Sequence, residues 1–183
     1  MNISHVVENL NRGGLERVVI ELVKAQSAAG HRCQVVCLYD RGSMAVELDA
    51  IGVPVVACDK RPGADVRAVL RMRRALRRHG TRILHSHNSI PHYYAVMAAV
   101  GLGLERVVNT RHGMGDISPS SRREWLFKQS MRVTDVAATV CEAARVRLIQ
   151  TAAAPAHKLR AVPNGIHPDQ FQPSSPTARA ALA

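Results

Sequence analysis

Residues 9–31 read NLNRGGLERVVIELVKAQSAAGH. Gly13 and Gly14 stand between an apolar run with the length of a buried strand, Ile3 to Val7, and a segment in which Leu15, Val18, Val19, Leu22 and Val23 recur at helical spacing. Glycine enters the left-handed region freely and has no side chain to hold a ligand off the backbone. At a helix N-terminus the unpaired amides and the dipole favour an anion. On this stretch alone two readings stand: a seat for a phosphate, or a tight strand-to-helix turn that binds nothing.

The same alternation runs on through the chain. Further short apolar runs occur at Gln34 to Leu38, Val53 to Ala57, Ile83 to His85, Val107 to Thr110, Val136 to Val140 and Leu159 to Val162. Between them lie helical patterns: SMAVELDAI, DVRAVLRMRRALRRHG, YYAVMAAVG, RREWLFKQSMRV and EAARVRLIQTA. Parallel strands need crossover helices, and strands buried on both faces are apolar throughout rather than alternating. The expected fold is therefore α/β, a doubly wound, mostly parallel, Rossmann-like sheet, with ligands beyond the carboxyl ends of the strands. After VPNGIHPDQF the chain turns to QPSSPTARAALA, which reads as a linker. The expected organisation is one domain over 1–171 and the start of a linker at 172–183.

Composition narrows the partners. The 183 residues are 46% hydrophobic, enough for a globular core, and carry a formal net charge of +11, nearly all of it from arginine. Such a balance attracts nucleic acid, anionic lipid or phosphorylated substrates. Aromatic residues make up 3%, which leaves few stacking platforms for single-stranded nucleic acid, so phosphates and membrane surfaces fit better. The N-terminus has no secretory pattern, and YYAVMAAVGLGL is too short to span a bilayer, so a cytoplasmic location is expected. Cys33 and Cys37 in one strand would lie about 13 Å apart, outside disulfide reach, and Cys58 and Cys141 are solitary; all four read as reduced thiols.

Four post-strand segments carry candidate chemistry. The Gly13-Gly14 turn lacks the further spaced glycine and the acidic residue of a dinucleotide fingerprint, which argues against a nicotinamide cofactor. ILHSHNS sets His85 and His87 on one strand face, about 6.6 Å apart at their α-carbons. A His-X-His pair can chelate a metal, but it wants a third ligand, and no Asp or Glu occurs between Asp65 and Glu105. The other arrangement buries one histidine and lets His87 reach the cleft beside Asn88. VVNTRHGMG delivers Arg111 and His112 into Gly113 and Gly115: the histidine is able to orient or deprotonate a hydroxyl, the arginine to hold a phosphate. AVPNGIHPDQF contains Pro-Asn-Gly, a strong turn signal. Separately, in residues 65–79 an apolar stripe of Val66, Val69, Leu70 and Leu76 is set against Arg67, Arg71, Arg74 and Arg78, a face able to rest on anionic lipid.

In order, RGGLERVVIELVKAQSAAGH, ILHSHN, VVNTRHG, TVCEAARVRLI and KLRAVPNGIHPDQFQP resemble the N-terminal, acceptor-side domain of GT-B glycosyltransferases of retaining family 4. That group includes mannosyl- and glucosyltransferases of lipopolysaccharide and phosphoinositide glycan synthesis. The resemblance covers nearly the whole chain. It implies that Gly13 and Gly14 approach the diphosphate of a UDP- or GDP-linked sugar, that His112 is the cleft residue near the transferred sugar, and that His87 and Asn88, with Arg111 and Gly113, bind substrate. It further implies that Asn164 and Gly165 form the hinge to a donor-binding domain that does not follow within these residues, and that the sugar passes to a hydroxyl of a glycan or glycolipid with retention, without metal or other cofactor. The sequence departs from the family pattern at Cys141, where serine is usual, and at His167, where aspartate is common; both are expected to adjust local hydrogen bonds. A metal-dependent hydrolase built on His85 and His87 and a basic nucleic-acid-binding module are the rival readings; no nucleic-acid partner is expected.

Overall fold

A computed structural model describes residues 1–113 and 122–165. Seven strands form one sheet: β1 (Asn2–Val7), β2 (Arg32–Cys37), β3 (Val55–Ala57), β4 (Ile83–His87), β5 (Arg106–Arg111), β6 (Val136–Thr139) and β7 (Leu159–Ala161). Every neighbouring pair is parallel, in the order β3-β2-β1-β4-β5-β6-β7. The connecting helices are α1 (Gly14–Ala28), α2 (Val46–Asp49), α3 (Val66–His79), α4 (Ser89–Ala99), α5 (Arg122–Ser130) and α6 (Glu142–Gln150). The expected doubly wound α/β class is the observed one.

Strand alternation divides the core. Ile3 and Val7 of β1, with Cys33, Val35 and Cys37 of β2, meet Val19, Ile20 and Val23 of α1 on one face. Val6, Val36 and Leu84 point the other way, onto Ala68, Met72 and Leu76 of α3 and Ala95 and Ala98 of α4. Phe127, Met131, Ala137, Leu148 and Leu159 make a smaller core toward β7. The four cysteines are unpaired, and burial pushes the Cys37 and Cys58 thiols up to about 12, so they behave as small apolar side chains.

Several element bounds differ from the sequence expectation, for local reasons. Residues 43–51 form a short 3-10 turn, Ser43–Ala45, and the single-turn α2 rather than one longer helix. The third strand starts at Val55, not Val53, because Pro54 has no N–H for the ladder; its carbonyl accepts from Val35 N at 2.9 Å. α4 starts at Ser89, ahead of Tyr93, since Pro91 falls in the first turn, where amides have no helical partner anyway. On α3 the buried face is Ala68, Met72, Ala75 and Leu76, whereas Val66 and Leu70 are 70% and 50% exposed. The expected apolar stripe is therefore corrected: two of its four members face outward. Residues 166–183, including His167 and the expected linker at 172–183, and Gly115 lie outside the described residues.

Gly42 is the glycine whose backbone the fold requires. It holds φ 75 and ψ 161, a combination essentially reserved for glycine, and an added Cβ would come within 2.2 Å of the Leu10 carbonyl carbon. This contact joins the β1–α1 loop to the segment that leads from β2 into the Ser43–Ala45 turn. Gly13 and Gly14 have no positive φ, and a Cβ at Gly14 meets nothing within 4 Å. The Gly42→Ala change is expected to destabilise by at least about 2 kcal/mol in urea unfolding, whereas Gly14→Ala shifts the midpoint negligibly. A strongly destabilised Gly14→Ala protein would show that the Gly-Gly pair is required by the fold itself.

Candidate functional site

In a sheet that is parallel throughout, every post-strand segment emerges on one rim. The strand order reverses at β1, which pairs with β2 on one side and β4 on the other, the position at which doubly wound sheets generally bind their ligands. The Gly13-Gly14 turn follows β1, Asn88 follows β4, His112 and Gly113 follow β5, and Asn164 and Gly165 follow β7. All the segments singled out from sequence thus share that rim.

The start of α1 is bare. Gly13 is its N-cap, extended at φ −172, with no side-chain cap, so glycine's freedom to enter the left-handed region is not used here. What they contribute is the absence of side chains at the first amides. A cavity of about 480 Å³ opens beside this turn between Arg12, Gly13, Arg17, Ser43 and Glu47. Arg17 is held across it by Glu47, with two hydrogen bonds of 2.8 Å.

A cluster of four histidines lies deeper. In the β1–β4 register His5 stands opposite His85, and alternation puts His87 on the same sheet face. The His5 Nδ1 lies 3.1 Å from His87 Nε2, and His87 Nδ1 lies 3.0 Å from His112 Nε2. Behind them His5 Nε2 meets Gln26 Oε1 at 2.8 Å, and His85 Nε2 meets Thr110 Oγ1 at 2.8 Å. His87 is only 1% exposed. Its placement on the substrate wall is therefore corrected: it supports His112 from within. His112 has one nitrogen, Nδ1, buried and without a hydrogen-bond partner among the described residues. Burial drives all four rings toward neutrality, with His5 and His112 lowered to about 4 and His85 and His87 well below the ordinary value.

One ligand nitrogen from each of His5, His85 and His87 falls within 4.8 Å of the other two, so among the described residues these are the side chains able to hold a metal ion. The third ligand that the His-X-His pair lacked in sequence is His5, 80 residues away. Around His87 the titratable neighbours that influence its proton are the other three histidines, and among the described residues no carboxylate acts on it to offset a dication. The hydrogen-bonded arrangement accounts for the same contacts without an ion.

Two other assigned residues serve the framework. Asn88 holds φ 63, a conformation uncommon outside glycine, and its N–H donates to the Thr110 carbonyl at 2.8 Å. Its Oδ1 accepts from the His112 N–H at 2.9 Å, so the side chain aims His112. Arg111 sits on the opposite sheet face from Thr110, with its guanidinium 5.2 Å from the centre of the Phe127 ring and under the field of Glu124; burial lowers its pKa. It packs on α5, and its Nη1 is buried without a hydrogen-bond partner among the described residues. Cys141 is the N-cap of α6 and makes no side-chain cap bond. Exposed Gly113, at φ 87, lets the chain leave the sheet directly after His112.

Sequence reading missed His5, Gln26 and Glu8. Glu8 follows the first strand directly, and the pKa of its carboxyl is raised by burial and by Glu16 despite the opposing charge of Arg123. Its signal was available: an acid just before the glycine turn. His5 and Gln26 gave none, since their meaning depends on strand pairing and helix packing.

The buried histidines set a pH dependence of stability. His5, His85, His87, His92 and His112 are held neutral by the fold, with His92 at about 3 between Ser86 and Thr134, while in the unfolded chain each binds a proton near pH 6.5. The unfolded state therefore carries more protons below that value, and their contribution, full above pH 6.5, is lost as pH falls toward 4. The unfolding free energy from urea titration is expected to drop steeply between pH 6.5 and 4.5, by up to about 1.4 kcal/mol per pH unit for each histidine. A flat profile across that window would contradict the neutral cluster.

The Glycosyltransferase Family 4 model matches residues 12–170. No curated protein matches the chain in sequence. Among solved structures, Anabaena HepE in complex with UDP superposes with a TM-score of 0.79 at 15% identity, over 100% of this chain and 49% of that one. A glycosyltransferase from Rickettsia africae gives 0.77 at 17% identity, over 98% and 48%. The apo form of the lipopolysaccharide outer core galactosyltransferase WaaB gives 0.67 at 13% identity, over 91% and 46%. At such identities the likeness is one of fold, and the chain spans about half the length of each of these structures. With its parallel sheet, its rim at the strand-order reversal and a family match over most of its length, the chain belongs to Glycosyltransferase Family 4.

Proposed function

We propose that this chain forms the acceptor-side wall of a retaining glycosyltransferase that moves a hexose from a UDP- or GDP-linked donor to a hydroxyl of a glycan or glycolipid. A second, donor-binding Rossmann-like domain closes the cleft, and Asn164 and Gly165 are the hinge to it. The observation that carries this reading is the convergence on one rim of the bare α1 N-terminus and His112. In the reaction the bond from the anomeric carbon to the diphosphate breaks and a bond to the acceptor oxygen forms on the same face. The departing diphosphate takes the acceptor proton. The first amides of α1 and the arginines beside them stabilise the leaving charge without a metal. A neutral His112 orients a sugar hydroxyl rather than acting as a strong base.

The acceptor side is also the membrane side in this reading. On the outer face of α3, Val66 and Leu70 are flanked by Arg67, Arg74, Arg77 and Arg78, all exposed and without an ion pair among the described residues. Arg71, expected to join them, instead donates to the Cys58 carbonyl at 2.8 Å and pairs with Asp59, and is corrected accordingly. No helix among the described residues is long and apolar enough to cross a membrane. A basic face with two apolar side chains supports peripheral attachment to the anionic inner surface of the plasma membrane.

The test is nucleotide release from UDP- and GDP-sugars with lipid-linked acceptors, using the protein with its donor domain, and this chain alone as the inactive comparison. His112→Ala is expected to lower kcat/KM at least tenfold, about 1.4 kcal/mol, with a smaller effect on the unfolding midpoint; near-normal turnover would remove His112 from the site. Stoichiometric zinc on elemental analysis would favour the rival hydrolase reading. In vesicle co-sedimentation, binding is expected to phosphatidylglycerol-containing but not to pure phosphatidylcholine vesicles, to weaken with salt, and to be lost when Arg67, Arg74, Arg77 and Arg78 are replaced by serine. Equal binding by that variant would assign attachment to another surface.

A further inference from the structure

The histidine cluster is an open-ended chain of hydrogen bonds, and such a chain has a direction. A neutral imidazole donates from one nitrogen and accepts at the other, so fixing one end fixes every ring along it. The fixed end is Gln26. Its Oε1 faces His5 Nε2 at 2.8 Å, and the Cys33 thiol, a donor, points to the same oxygen at 3.8 Å. With an oxygen there, His5 must carry its proton on Nε2 and offer a lone pair at Nδ1. His87 then donates from Nε2 to His5 at 3.1 Å and accepts at Nδ1, and His112 donates from Nε2 to His87 at 3.0 Å. The remaining nitrogen, His112 Nδ1, is left as a lone pair, the atom that has no partner.

We propose that Gln26, His5 and His87 are positioning residues that lock His112 in its Nε2–H tautomer, so that its Nδ1 accepts a hydrogen bond from a hydroxyl of the sugar substrates. The consequence is chemical selectivity. A neutral lone pair attracts a hydroxyl hydrogen and repels the oxygens of a phosphate, so the diphosphate is left to the amides of α1. Gln26 lies about 18 Å along α1 from Gly14, so the residue that orients the cleft histidine stands well away from the cleft. The second half of this inference rests on the glycosyltransferase reading; the tautomer order does not.

Long-range proton–nitrogen NMR of the histidine-labelled chain near pH 7.5 separates the two. The His112 signals, assigned with a His112→Asn variant, are expected to show a protonated Nε2 and an unprotonated Nδ1. Gln26→Leu, at a half-buried position, removes the anchor and is expected to move the two nitrogens toward each other as the tautomers mix. Gln26→Glu keeps an oxygen there and is expected to retain the wild-type pattern at His112 while raising the His5 pKa. A wild-type His112 protonated on Nδ1, or a Gln26→Leu spectrum identical to wild type, would overturn the proposal. In the transfer assay Gln26→Leu is expected to lower kcat/KM three- to tenfold and Gln26→Glu to restore it; unchanged kinetics beside a mixed tautomer would overturn the hydroxyl role. Absence of transfer by the wild-type protein would defeat the glycosyltransferase reading and leave the spectra standing.

Discussion

The register in which β1 lies parallel to β4 is the constraint on which the rest depends. It sets Ile3 against Ile83 and His5 against His85, and it makes β1 the strand from which the sheet grows in both directions. A one-residue slip would turn His5 onto the α3–α4 face and bring Val6 under α1, exchanging the two cores. Because β1 and β4 run the same way, the chain leaves both at one rim, into the glycine turn after β1 and Asn88 after β4. The core and the candidate site are thus two results of one pairing.

That pairing also accounts for the polar interior. A buried histidine is costly unless its nitrogens are satisfied, and burial holds it neutral. His5 and His87 meet this condition by bonding to each other and to Gln26 and His112, and His85 bonds to Thr110. The network ends on one buried nitrogen, His112 Nδ1, that has no partner among the described residues. Asn88 contributes from the backbone side, taking an uncommon conformation and holding the His112 amide. The cleft side chain is therefore fixed both through its ring and through its main chain.

Charge is distributed on a different principle. Several arginines are consumed internally: Arg71 on Cys58, Arg73 on the carbonyls of Ala98 and Val100, and Arg111 on Phe127. The outer face of α3 is an exception, since its arginines turn to solvent alongside Val66 and Leu70. A net charge of +11 is thus partly structural, and a smaller set of groups remains for an anionic surface. Composition alone does not separate the two sets, because burial of a guanidinium is decided by which carbonyls lie within its reach.

The strands and helices, their alternation and the parallel sheet were legible in the sequence because hydrophobic period and turn residues are local properties, each visible within a few residues. The rim segments were legible for the same reason: in a parallel sheet, following a strand is enough to locate a residue on the carboxyl-terminal side. What only the tertiary structure decided was direction and company. His87 faces inward to His5 and not outward to a ligand, Arg111 packs on α5, and Gly13 is extended, because side-chain facing depends on the phase of each strand against its neighbours. His5 and Gln26 acquire a role only when β1 pairs with β4 and α1 packs over both, contacts that join residues 21 to 82 positions apart.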